Sequence, residues 1–463
     1  MSLLGSRVVV GRRSQRIRAC SLLYGFGSRL IHGFGIKCPA SWSRRLRTLQ
    51  VNLTGCIAII LGFGLIGCAQ PNDFTVQYFE VNNPSRLSEW GVLKNTDGTL
   101  SLGRGTKVYH LASPLFSDYA GKLRTLSLPE GETVKLDSET GRFIYPVGTV
   151  ITKSFYYRRA GDSDRADYRF VRTAGTHDLN ALNLNLDQMT LLETRILVKR
   201  ASGWAALPYV WDEMQTDAIL SPTGALVRAK LENAGDSEAF AYVVPNTNQC
   251  AGCHTLDQSH KAMLPIGPHP KHLVRGQPES DQLASWVSLG QLSQIDYAAA
   301  SQLDVHQNWQ NPSVSQSERV LAYLDINCGH CHSPTGPADT SGLFLNFGTV
   351  DPIRWGVCKA PIAAGQGTGG AQFGIVPGDP DASIMSYRLS SVDPGAMMPE
   401  LGRSLVHEEG LALVRSWIAA MPGDCDLDEP EPPTTLALIK HEHTGAHTGS
   451  LRSEPLGFGV FLQ

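Results

Sequence analysis

The sequence predicts an α+β multidomain protein, with a β-rich, sandwich-like N-terminal domain followed by two small, mostly α modules. Three observations carry this expectation. Residues 111–245 concentrate β-branched and aromatic runs that alternate with period two, the pattern of half-buried strands. Beyond Pro245 the pattern changes to short helical periodicities between Gly/Pro loops. The ten cysteines are grouped, with two close pairs, Cys250/Cys253 and Cys328/Cys331, in that second half.

Residues 1–67 read as an export signal on a start that is longer than such a signal needs. They hold ten Lys or Arg and no Asp or Glu, and Arg44-Arg45-Leu46-Arg47 precedes the 13-residue apolar run from Gly55 to Gly67. That run is too short to span a bilayer but suits the apolar core of a secretory signal. It ends in Leu65-Ile66-Gly67-Cys68, which resembles the lipobox of bacterial lipoproteins. The resemblance implies cleavage before Cys68 and acylation of its new N-terminus; a signal anchor or a buried helix that happens to end in cysteine is the plainer alternative. Ala69 follows, which by that resemblance favours the outer membrane, on its periplasmic side or at the cell surface. Residues 68–110, rich in Asn, Gly, Ser and Thr, suit a lipid-anchored tether with a first small element.

In the β-rich domain (111–245), Thr149–Tyr157, Leu192–Val198 and Ala239–Val244 read as strands, and Trp204–Trp211 as the return arm of a hairpin after Lys199–Gly203. The aromatic and acidic cluster at Trp204–Asp217 reads as β core with a polar rim in preference to a substrate site. Helical periodicity marks Ser280–Gly290, Ser317–Asn327 and His407–Met421, the last with acids first and Pro422-Gly423 as the stop. A first module at 246–310, a second at 311–426 and a flexible Pro/Glu then His/Gly/Ser tail at 427–463 complete the division.

Charge excludes one class of function. The formal net charge of -3 comes from 40 basic and 43 acidic side chains, so after the leader's ten basic residues the chain carries 30 against 43, a net of -13. Such a surface repels phosphate backbones, and no nucleic-acid partner is expected.

The chemistry lies in Cys250-Ala251-Gly252-Cys253-His254 and Cys328-Gly329-His330-Cys331-His332. Both fit C-x-x-C-H, the attachment signature for c-type haem, and chance in this composition gives only roughly 0.007 occurrences. Two thiols one helical turn apart meet two vinyl groups of one porphyrin edge, and the next residue, His254 or His332, falls under the iron. A Cys₄ zinc site or a redox dithiol are the alternatives; the first needs a closer pair spacing and no trailing histidine, the second a βαβ context. Two covalently bound c-type haems are therefore the expected cofactors.

Residues 313–425, with a helix into the second motif, Met397-Met398-Pro399 and a terminal amphipathic helix, resemble class I cytochrome c. The resemblance implies that Met398 supplies the distal thioether opposite His332, with Met397 as the competing neighbour. For the first iron, Met263, His260, His269 and His272 stand as distal candidates, alongside an open or remotely ligated position. Cys358 and Cys425 remain, and in an oxidising compartment they suggest a disulfide, two buried thiols being the alternative.

More widely, Pro245–Ser259, Leu264–Pro268, Ala322–Gly336, Gly356–Gly370 and Met397–Gly410 resemble an uncharacterised family of exported bacterial di-haem c-type cytochromes, as do Glu193–Val198, Trp204, Tyr209–Trp211 and Gln215–Ala218. That resemblance implies redox partner proteins and a co-encoded parallel β-helix repeat protein as a candidate partner. The expectation is a lipid-anchored relay of single electrons, an electron-transfer protein in preference to an enzyme. The competing one is a di-haem peroxidase or oxidase, or a dehydrogenase-associated cytochrome, with an open first haem.

Overall fold

The computed structural model describes residues 74–161, 163–172, 184–257, 261–273, 281–293, 303 and 305–425. The export signal, Cys68, His260 and the tail lie outside the described residues. The chain is mixed and strand-rich, built on one curled sheet with few helices.

That sheet has nine strands: β1 (Lys107–Val108), β2 (Gly121–Ser127), β3 (Val150–Arg159), β4 (Arg169–Val171), β5 (Met189–Arg200), β6 (Gly203–Trp211), β7 (Ala218–Leu220), β8 (Ala225–Asn233) and β9 (Asp236–Val244). Its spine runs β7-β6-β5-β3-β4-β8-β9, with β2 beside β3 and β1 on its far edge. All pairings in it are antiparallel except β8 with β4. The strands expected between residues 149 and 244 all join this one sheet, because β3 is long enough to pair with β5 along one edge and with β2 and then β4 along the other, while a separate three-stranded sheet of Leu93–Thr96, Thr99–Leu102 and Leu184–Asn185 contributes Leu93 and Leu100 to the core on one face. The β5–β6 hairpin turns through Ala201-Ser202, and Gly203 takes the positive φ of 124° that the tight return requires.

One face of the sheet packs against residues 87–102. Leu87, Trp90, Leu93 and Leu100 are buried against Val150, Tyr156, Ile196, Val198 and Tyr209. Trp90 Nε1 donates to Tyr209 Oη at 2.7 Å, which satisfies the one polar atom of a fully buried indole. From residue 74 onward the expected tether is thus folded structure, its polar residues forming turns between apolar anchors. Trp211, from the aromatic cluster, is buried in the same core and its Nε1 donates to Thr194 Oγ1 at 2.9 Å.

The opposite face carries the helical segments: α1 (Thr247–His254), α2 (Gln282–Ser288), α3 (Gln316–Leu324), α4 (Ile384–Ser390) and α5 (Glu408–Ala419). The borders expected at 245 and 310 are not breaks in packing. Leu126, Ile151, Leu197 and Ala206 of the sheet share a core with Cys250 of α1 and Leu283 and Trp286 of α2, and Leu405 packs with Phe155, Tyr157 and Phe240. Helix α2 is capped by Asp281, whose carboxylate accepts from Ala284 N. Helices α3 and α5 bury Val320, Leu324, Leu413, Val414, Trp417 and Ile418 together. Their close approach depends on Gly410, where a Cβ would meet the Tyr323 ring at 2.3 Å. Among the described residues no helix is long and apolar enough to cross a membrane.

Candidate functional site

Both cysteine motifs open on one cavity of about 490 Å³, walled by the sheet, α1, α4 and the loops around residues 337–364 and 398–403. Cys250, Cys253, His254, Cys328, Cys331, His332 and Met398 all line it. The first motif lies entirely in α1, whose Asn246 cap accepts from Gln249 N. The second follows α3 through a widened turn at Asp325–Gly329, after which His332 N donates to Cys328 O at 2.9 Å.

The two histidines are held alike. His254 Nδ1 donates to the Leu264 carbonyl at 2.9 Å, ten residues on, and Leu264 N returns a bond to His254 O at 2.8 Å. His332 donates to the Leu343 carbonyl, with Ser341 Oγ 3.5 Å from its Nδ1, and Leu345 N donates to His332 O at 2.8 Å. Burial pushes both imidazoles down to about 4, so both are neutral near pH 7. A neutral ring that gives its one N–H to a carbonyl presents a lone pair on its other nitrogen. This is the arrangement of an oriented metal ligand.

The cysteines do not converge on a single point. Cys253, His330 and Cys331 bring their ligand atoms within 4.8 Å of one another, while Cys250 and Cys328 stand outside that trio. All four thiols are free. The hydrogen bond between Cys253 and Cys331 holds the Cys253 thiol down and pushes the Cys331 thiol up. A Cys₄ zinc site would need all four sulphurs around one centre, which this geometry does not supply.

Met398 and Met397 are separated by the fold. Met398 lines the cavity, whereas Met397 is buried and is not part of its wall. Arg403, itself buried, fixes the methionine loop: Nε donates to Met398 O (3.1 Å), Nη1 to Leu405 O (3.1 Å), and Nη2 to Arg388 O (3.1 Å) and Ser391 O (2.9 Å).

The candidates for the first iron's far side lie elsewhere. Met263 pairs with Thr255 in a small hairpin and packs against the core around Tyr109 and Trp286. His269 caps a short turn, accepting from Lys271 N. His272 Nε2 donates to Asp325 Oδ2 at 2.6 Å, as does His306 Nε2 at 2.8 Å, while Lys271 Nζ and Phe347 N bind Oδ1 at 3.0 and 2.6 Å. Asp325 therefore carries four donors in a buried knot that ties both motifs' flanking segments together, and these bonds hold its carboxyl well below the usual range despite burial.

Reasoning from sequence missed several cavity residues. Met385 on α4 and His407 at the start of α5 both line the wall. His407 stacks on Phe116 at 4.1 Å, and its Nδ1 lies 3.1 Å from Tyr323 Oη. Lys153, Arg195, Arg388 and Arg403 add cations to the lining. None carries a spacing signal, since each reaches the cavity only through the curl of the sheet or the return of α4 and α5. Cys358 and Cys425 are joined as a disulfide with Cα atoms 5.2 Å apart, linking the 356–364 loop to the end of the described chain. Comparison with protein-family models, curated proteins and solved structures finds no match to this chain.

Proposed function

We propose that the chain is an exported, lipid-anchored di-haem c-type cytochrome that passes single electrons between redox partner proteins, on the periplasmic side of the outer membrane or at the cell surface. The observation that carries this reading is the pair of C-x-x-C-H segments opening on one cavity, each with its histidine neutral and tethered to a leucine carbonyl. The donor set fits two covalently attached haems: two free thiols and one oriented imidazole at each motif, with Met398 on the same wall. When bound, the haems supply one-electron redox chemistry.

The chain's own residues then have defined tasks. Cys250 and Cys253, and Cys328 and Cys331, would hold the two groups, and His254 and His332 would offer each iron an imidazole nitrogen. Met398, with its loop held by Arg403, supplies a thioether at the second site, which raises the potential and closes that position to exogenous ligands. Contact between Cys253 and Cys331 brings the two attachment points side by side, a short path for an electron between sites. The acidic mature chain suits docking to basic patches on partners, with a rate that falls as salt rises. By family resemblance, a co-encoded parallel β-helix protein is a candidate partner.

A second reading, a di-haem peroxidase or oxidase with an open first iron, is favoured by one observation: Met263, His269 and His272 are all absent from the cavity wall. Production of the mature chain with a c-haem maturation system, followed by haem counting as the pyridine haemochrome, tests the main proposal. Two haems per chain are expected, falling to one in C250S/C253S. No covalent haem overturns the proposal, and a ferric high-spin fraction that binds cyanide replaces the relay with the enzyme.

A further inference from the structure

Across the centre of the sheet face that looks toward the haem motifs, three cations stand in one row. Arg124 on β2 is directly opposite Lys153 on β3, and Lys153 is directly opposite Arg195 on β5. Lys122 stands in the next row, opposite Phe155, which in turn pairs with Glu193. Like charges directly opposite across a sheet are destabilising, and burying unpaired charge costs more. Apolar residues border the row on one side, Leu126, Ile151 and Leu197, so the cations do not face bulk water there.

The acidic groups at hand neutralise only part of this row: Arg195 has an ion-pair partner, while among the described residues no carboxylate is in ion-pair contact with Lys153 or Arg124. Glu193 is fully buried and binds Arg195 through both oxygens, Nε to Oε2 at 2.7 Å and Nη2 to Oε1 at 2.5 Å, while Oε1 also accepts from Tyr242. Asp118 acts on Lys122, but its Oδ1 accepts from Ser404 N and Leu405 N. Arg124 Nη2 is buried without a hydrogen-bond partner among the described residues. Lys153 lines the cavity with Arg195, and both lie over the Phe155 ring, at 5.2 and 4.4 Å. The cost of this charge shows in Lys153, which burial and its two arginine neighbours push down to about 7.

We propose that Lys153 and Arg195 in the cavity wall, with Arg124 next to Lys153 in the same row, form an anion receptor built for a carboxylate or small oxyanion held against the first cysteine motif. Two sources share that chemistry: a propionate of a haem bound in the cavity, or a diffusible oxyanion. The first source rests on the functional reading above; the second does not. Either one supplies the negative charge that the row lacks and sets a cation-rich boundary beside the redox site.

The test uses the mature chain, wild type and Lys153→Gln, with Lys153→Arg as the charge-preserving control. Haem is counted first, then thermal stability is followed against inorganic phosphate at constant ionic strength, and the reduction potentials are measured by spectroelectrochemistry. A diffusible ligand gives a saturable phosphate stabilisation that weakens at least tenfold in K153Q and persists in K153R. A propionate gives no phosphate response, but K153Q lowers the equilibrium constant for reduction of one haem about tenfold, or about 59 mV for a one-electron couple. Two haems with neither response overturn the receptor and leave the cytochrome standing. No haem with a saturable phosphate response overturns the cytochrome and leaves the receptor standing. Should K153Q not fold, Arg124→Gln repeats the measurements, since its Nη2 has no partner to lose.

Discussion

Arg403→Met removes the guanidinium that organises the methionine loop while keeping a side chain of comparable length. Four carbonyls receive its hydrogen bonds, but Arg388 O also accepts from Met398 N at 3.0 Å, so three acceptors, on Met398, Ser391 and Leu405, lose the donor that Arg403 gave them. A buried acceptor left unsatisfied costs about 1–3 kcal/mol, and water reaching the loop recovers part of that, which puts the penalty at roughly 3 kcal/mol. A penalty of that size lowers the population of the ordered loop about 150-fold. The covalent haem count is expected to stay at two, since the cysteines are untouched. The ferric protein is expected to lose its methionine-ligated low-spin spectrum at one haem, and the urea midpoint to fall. Arg403→Lys, able to keep some of the bonds, is expected to lie between. A variant R403M with the wild-type spectrum and midpoint would refute the view that this arginine positions Met398.

Other perturbations follow from the same geometry. Cys358→Ser with Cys425→Ser opens a loop whose ends are 67 residues apart, and chain-entropy arithmetic sets the loss near 4 kcal/mol, read by denaturant unfolding under non-reducing conditions. Asp325→Asn leaves two histidines and a lysine around a group that no longer carries charge, and an expected loss of about 3–5 kcal/mol is checked by the same unfolding assay. Asp118 is raised to about 6, chiefly by burial, above its ordinary 3.8. The folded state therefore holds the proton more tightly between these values, and stability from this group is greatest below pH 4 and declines as pH rises to 6. Relative to Asp118→Asn, which keeps the Oδ1 acceptor but does not titrate, the wild type is expected to lose roughly 3 kcal/mol across that window, measured by urea unfolding at pH 4 and pH 7.

Strand and helix positions were legible where one face is apolar. The alternation at Leu192–Val198 and the aromatic run Trp204–Trp211 lie inside β5 and β6, and the spacing of Leu411, Val414 and Ile418 lies inside α5. The way strands join was not legible, because pairing partners far apart in sequence leave no local trace. The parallel contact of β8 with β4 brings Lys230 beside Arg169, and no alternation could announce it. Chemistry carried by a short motif was visible, as at the two C-x-x-C-H segments. Chemistry assembled across strands was not: no local pattern marks Arg124, Lys153 and Arg195, which only the strand register brings into one row. Residues 74–110 show the limit of composition, since their polar majority hid Leu87 and Trp90, which anchor one core.

The meeting of Cys253 and Cys331 also bears on the order of events during biogenesis. Under the export proposed above, two thiols whose sulphurs lie within 4.8 Å of each other are a short step from a disulfide in an oxidising compartment. A chain that folded before receiving its haems would bring these sulphurs together and consume one attachment point of each motif. Thioether formation on the open chain removes both thiols from that reaction. On the proposed function, attachment and folding are thus in a race, and in an export pathway lacking haem ligation the fold itself would lead to a cross-linked dead end.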